Sequence, residues 1–117
     1  MTKGKPVARK YLFIRELRKK EVLKELMNIV HQHGIVDILT VAKSTDMSYH
    51  SAVQLLNSAY DRRLVANGLA QRYGNNFYIY VYCSPGDVRK YDGKNTDNFR
   101  KIMFPKPLFP KRVRSQS

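Results

Sequence analysis

Two residues that start helices, Asp37 and Ser48, leave room between them for one short helix and a tight turn. Asp37 is a good N-cap, because its side-chain oxygen can take up a backbone N–H that the first helical turn leaves free. The helix it starts runs through Ser44, and Asp46-Met47 reads as the turn. Ser48 is the next cap, and its helix runs to about Arg63. Ala52, Leu55, Leu56 and Ala59 share one side of that second helix and form its buried face.

The flanking segments supply the rest of a small domain. Leu23, Leu26, Met27 and Val30 recur at i, i+3, i+4 and i+7, the stripe of an amphipathic helix over about 18–33. Gly34 follows its last turn, where a glycine accepts the left-handed conformation that stops a helix. Ile35-Val36 is a short extended piece. Beyond the second capped helix, Asn67-Gly68 ends the helical region and Leu69–Tyr73 is a short strand. Gly74-Asn75-Asn76 is a turn cluster. Phe77–Cys83 is the strongest strand, β-branched and aromatic throughout. Phe77, Ile79, Val81 and Cys83 share one face; Tyr78, Tyr80 and Tyr82 share the other. Residues 1–10 read as a mobile basic arm, and Leu12-Phe13-Ile14 is an apolar patch suited to the hairpin or to a dimer contact. Residues 87–98 are polar, and three prolines in 99–110 exclude a long helix there. The expected organisation is an arm over 1–17, a folded domain over 18–86 and a proline-containing extension over 87–117.

Charge separates the chain along the same lines. In 117 residues there are 22 Lys and Arg against 9 Asp and Glu, a net +13. Residues 1–24 carry net +7, residues 25–87 net −1 and residues 88–117 net +7. A near-neutral unit between two basic ends points to a polyanionic partner, with the ends gripping phosphate.

The stretch Ile38–Leu56 (ILTVAKSTDMSYHSAVQLL) resembles the helix-turn-helix signature of bacterial and archaeal DNA-binding regulators. Ala42 fills the small position midway along the first helix. Met47 is the apolar turn residue, Ser48 the polar cap, and Ala52 and Leu55 seal the second helix to the first. Asp46 stands where the family usually has glycine, and Asp tolerates the left-handed turn. With the hairpin that follows, the likeness is to the winged helix-turn-helix family, in the form of small archaeal, plasmid and viral regulators. It covers about 45 residues and implies an α+β fold with a C-terminal β-hairpin wing, flanked by basic N- and C-terminal extensions.

The resemblance also implies a function: sequence-specific binding of double-stranded DNA, with the second helix as recognition helix. Its exposed face would be Ser48, Tyr49, His50, Ser51 and Gln54. Gln54 can pair bidentately with adenine, and the serines, Tyr49 and His50 can bond base edges or phosphate. No Glu or Asp falls between Ser48 and Tyr60. Arg62 and Arg63 at the helix end suit phosphate or the helix dipole equally. Arg72, Asn75 and Asn76 would sit at the wing tip. Lys3, Lys5, Arg9 and Lys10 would grip the backbone from the arm. Such readers often dimerise on two half-sites, so a homodimer is expected. The tyrosine face fits a core, an interface or a stacking platform.

Transcriptional regulation is the commonest job of such a domain. A partition or centromere-binding protein that coats DNA is one alternative; a ribosomal-type RNA-binding winged-helix protein is another. An enzyme is not expected, since no nucleophile–base pair, paired carboxylates or phosphate loop appears. The single cysteine, Cys83, and His31, His33 and His50 show no metal-ligand spacing, so no metal or cofactor is expected, and no small-molecule ligand. No apolar run spans a bilayer and no signal peptide is evident, so the expected setting is cytoplasmic and nucleoid-associated, away from membranes. Deleting residues 1–10 should weaken binding to all DNA sequences and flatten its dependence on salt; an unchanged salt slope would remove the arm from the interface.

Overall fold

The computed structural model describes the backbone of residues 4–109 and the side chains of residues 19–109. The first helix, α1 (Gly4–His33), carries the expected stripe: Leu23, Leu26 and Val30 are buried and Met27 partly so. It ends at Gly34, whose φ of 85° and N–H bond to the Val30 carbonyl (2.7 Å) close the last turn. A Cβ at Gly34 would also collide with the Tyr91 hydroxyl.

The helix begins far earlier than its stripe suggests, and takes in most of the segment expected as an arm. Pro6 falls in the first turn, where an amide N–H has no helical partner to lose. The residues after it are mostly good helix formers. Of the basic residues assigned to the arm, Lys5, Arg9 and Lys10 therefore lie on the first turns of α1, with side chains outside the described residues. Lys3 lies outside them altogether, as do the side chains of Leu12, Phe13 and Ile14.

After α1 come β1 (Ile35–Asp37), α2 (Ile38–Thr45), α3 (Tyr49–Asp61), β2 (Ala66–Arg72) and β3 (Ile79–Cys83). A 3-10 turn (Pro85–Asp87), α4 (Val88–Tyr91) and β4 (Phe99–Met103) follow. Among the described residues the chain is thus a mixed α+β fold of four helices and one four-stranded antiparallel sheet, ordered β1-β3-β2-β4. Strand alternation sorts the sheet into two faces. Val36 and Tyr82 point to the helices, joining Leu26, Val41, Leu56 and Val65 in one core. Ile35, Val81, Cys83, Ala66 and Ala70 point the other way, against Val88, Phe99, Ile102 and Phe104.

That second core corrects the reading of residues 87–117 as an extension, because β4 is an integral strand paired with β2. Its pattern hides it. Lys101 has a φ of 55°, and Leu69 and Gln71 oppose Met103 and Arg100, so β4 holds one extra residue there, a β-bulge. The bulge sends Phe99 and Ile102, three apart, into the same core and erases the two-residue period. Asn67-Gly68 is likewise no terminator but the interior of β2. Glycine is needed there because a Cβ would lie 2.6 Å from the Met103 carbonyl oxygen and 2.9 Å from the Phe104 ring. Asp92 staples the return of the chain: it accepts from Lys106 Nζ (2.8 Å) and from the Phe104 N–H (2.9 Å), which hold its carboxyl below the usual carboxylate range.

Ile102 is fully buried. Changing it to Ala should cost about 2–5 kcal/mol in urea unfolding. A loss under about 0.5 kcal/mol, typical of surface changes, would mean that β4 is not part of the cooperative core.

Candidate nucleic-acid interface

The junction between α2 and α3 is built by three local interactions. Asp46 takes the left-handed conformation (φ 54°, ψ 49°) and ends α2. The Met47 N–H then reaches back to the Ala42 carbonyl (3.0 Å), and Met47 packs on the helical core. Ser48 caps α3, its hydroxyl accepting from the Ser51 N–H (3.1 Å) and donating to Ser51 Oγ (3.1 Å). The Ser48 hydroxyl is thus a positioning group. Ala52, Leu55, Leu56 and Ala59 are buried as expected, which fixes the rotation of α3.

The opposite side of α3 presents Ser48, Tyr49, His50, Ser51 and Gln54, all exposed. His50 and Gln54 stand one turn apart, with their Nε2 atoms at 3.2 Å, so they act as one polar unit. Asn57 extends this uncharged face by another turn and is exposed. The face offers donors and acceptors without a carboxylate from Tyr49 to Tyr60.

Arg72 and Arg63 make contacts that their neighbours in sequence do not show. Arg72 pairs with Asp37 through Nη2 and stacks its guanidinium 5.5 Å from the Phe99 ring centroid. Asp37 is buried, and its other oxygen caps α2 by accepting from the Thr40 N–H (3.1 Å) and hydroxyl (2.5 Å). Arg72 was expected at the wing tip; it lies at the end of β2, and its pairing makes it a strut between sheet and helices. Arg63 has a φ of 61° and lies 4.8 Å over the Phe109 ring. It closes the end of α3 and anchors the returning chain. Tyr60 shares that work, its ring 5.3 Å from Phe109 and its hydroxyl donating to the Leu108 carbonyl (3.1 Å). Arg62 is exposed.

The hairpin tip is a defined turn. Asn75 N–H bonds the Arg72 carbonyl (3.1 Å), with Gly74 at φ 83° between them. Buried Gln71 donates to the Asn76 carbonyl (3.0 Å). Asn75 is half-buried and Asn76 exposed. Tyr73, Phe77, Tyr78 and Tyr80 are exposed around and behind the tip. Of the tyrosine face, only Tyr82 enters the core. Burial, with the Tyr80 and Tyr49 phenols beside it, pushes its hydroxyl up to about 12, so it stays protonated at neutral pH. Burial and the nearby Asp87 likewise push the Cys83 thiol up to about 12, which removes it as a nucleophile at neutral pH.

Sequence reasoning missed a cleft of about 390 Å³ between α3 and the hairpin, with Tyr49, Asn57, Tyr60, Asn67, Tyr80 and Tyr82 among its walls. Its signal was the spacing of Tyr49, Val53, Asn57 and Tyr60, a second stripe beside the buried one.

Comparison with known protein families, with characterised proteins and with solved structures finds no match for this chain. Among the described residues, no helix is long and apolar enough to cross a membrane, and no three His, Cys, Asp or Glu residues gather to hold a metal ion.

Removing Arg72 leaves a buried carboxylate with one partner fewer. Arg72→Ala should lower stability in urea unfolding by about 1–3 kcal/mol. Unchanged stability would mean that its pairing with Asp37 does not tie the sheet to the helices.

Proposed function

We propose that this chain is a winged helix-turn-helix protein that binds double-stranded DNA sequence-specifically, with α3 as its recognition helix and the β2–β3 hairpin as its wing. The observation that carries the reading is the exposed, carboxylate-free face of Tyr49, His50, Ser51 and Gln54 at the start of α3. These side chains project from a helix whose start is capped and whose opposite side is buried. The order helix, strand, two helices and hairpin, with β1 pairing on the hairpin strand β3, supports the same reading.

In this account specificity and affinity come from different parts. The α3 face carries hydrogen-bonding groups for base edges in the major groove. The basic residues toward both ends of the chain neutralise phosphate and supply most of the binding free energy. The most economical biological role is transcriptional regulation, and coating of DNA repeats is the other job this architecture suits. A footprint separates them, since one short site fits regulation and spreading over flanking DNA fits coating. A selected site made of two half-sites one helical turn apart would mark a homodimer.

Selection from a random duplex pool, followed by binding of Gln54→Ala, tests the reading. The variant should lose about 1–3 kcal/mol on the selected site and little on random duplex. Equal losses on both would remove Gln54 from base readout, and a tenfold preference for structured RNA would overturn the duplex reading.

A further inference from the structure

The cleft between α3 and the hairpin has walls of one chemical kind. Every residue lining it is uncharged: four tyrosines, two asparagines, Ile38 and Val53. With neither cation nor carboxylate in the lining, the cleft suits neither a phosphate nor a metal ion. An aliphatic group would desolvate the phenol and amide groups without giving them partners. What matches is a flat, neutral group with a polar edge.

The placement of the polar atoms sharpens this. Asn67 uses its Nδ2 twice, donating to the Gly68 and Val81 carbonyls (both 3.3 Å), which leaves its Oδ1 as an acceptor. Asn57 is exposed, with no hydrogen bond to another described residue, so it offers both a donor and an acceptor. Tyr82 is buried, and Tyr80, two residues earlier on the same strand face, leaves about half of its surface (53%) open to solvent. Tyr49 contributes to this cleft and also to the exposed start of α3.

We propose that this cleft holds one unstacked nucleobase, stacked on Tyr80 and hydrogen-bonded along its edge by Asn57 and Asn67. The inference rests on the DNA-binding reading above, because the cleft adjoins the face assigned to the duplex. The base comes either from a position extruded from the duplex or from a single-stranded segment. Both present the same chemistry.

Three labelled oligonucleotides of one sequence separate the cases by fluorescence anisotropy: a fully paired duplex, the same duplex with one bulged thymine, and the single strand. The protein should bind the bulged duplex about tenfold or more tightly than the paired one, the scale of one base–aromatic stack. Tyr80→Ala should abolish that gain while leaving affinity for the paired duplex unchanged. Tyr80→Phe, which keeps the ring, should retain most of it, and Tyr73→Ala at the hairpin tip should retain all of it. Asn57→Ala, on the exposed side of α3, should reduce the gain several-fold and gives a second route should Tyr80→Ala fail to fold. A matching gain on the single strand assigns the base to unpaired segments; a gain on the bulged duplex alone assigns it to extrusion. Equal affinity for bulged and paired duplexes, or a gain that survives Tyr80→Ala, would overturn the inference and leave the duplex reading standing. Binding to none of the three would overturn both.

Discussion

Asp37 ends β1 and caps α2, so whatever holds its carboxylate holds the helix pair against the sheet. One oxygen takes the Thr40 N–H and hydroxyl; the other takes Arg72 from the end of β2. Arg72 in turn stacks on Phe99 of β4. Three strands and the start of the helix pair therefore meet at one buried anion. Ion pairs of this kind contribute little net stability, since desolvation offsets much of the attraction, but removing one partner is costly. The pair is best understood as fixing geometry. It sets the angle between α2 and the hairpin, and through the tight turn at Asp46-Met47 it sets where α3 points. The face of α3 and the cleft behind it both inherit their shape from that anchor.

The second constraint is the distribution of charge. Residues 25–87 are nearly neutral, while residues 1–24 and 88–117, which include much of α1 and all of β4, each carry net +7. The uncharged face of α3 would suit discrimination between bases, because its hydrogen bonds are short-range and directional. Basic ends suit retention on any duplex, because phosphate neutralisation does not depend on sequence. Phe109, the last described residue, is anchored on Tyr60 and Arg63 at the end of α3. That contact holds the end of the described chain beside the helix proposed to read the DNA.

Much of this was legible in the sequence wherever local physics decides. The caps Asp37 and Ser48, the stop at Gly34, the left-handed Asp46 and the buried stripe of α3 each depend on neighbours within a turn. The alternation that separates Tyr82 from Val81 and Cys83 was legible for the same reason. What escaped depends on distant contacts. The partner of Arg72 lies 35 residues away. Gly68 is a glycine because β4 and Phe104 approach it, and nothing in the dipeptide Asn67-Gly68 distinguishes that from a turn. β4 itself was masked by its bulge and by the prolines that follow. Of the candidate interface, the exposed face of α3 was readable as the complement of its buried stripe, while the cleft needed the hairpin set opposite to it.

The start of α3 is proposed to read base edges in the major groove. Chemical interference on a selected site tests it most directly, using 7-deazaadenine in place of adenine and uracil in place of thymine, both of which alter only the major-groove edge. Binding should be lost at discrete positions, with Gln54→Ala insensitive at one adenine where the intact protein is sensitive. Indifference to both modifications, with binding lost only on changes to the minor groove or the phosphates, would contradict it.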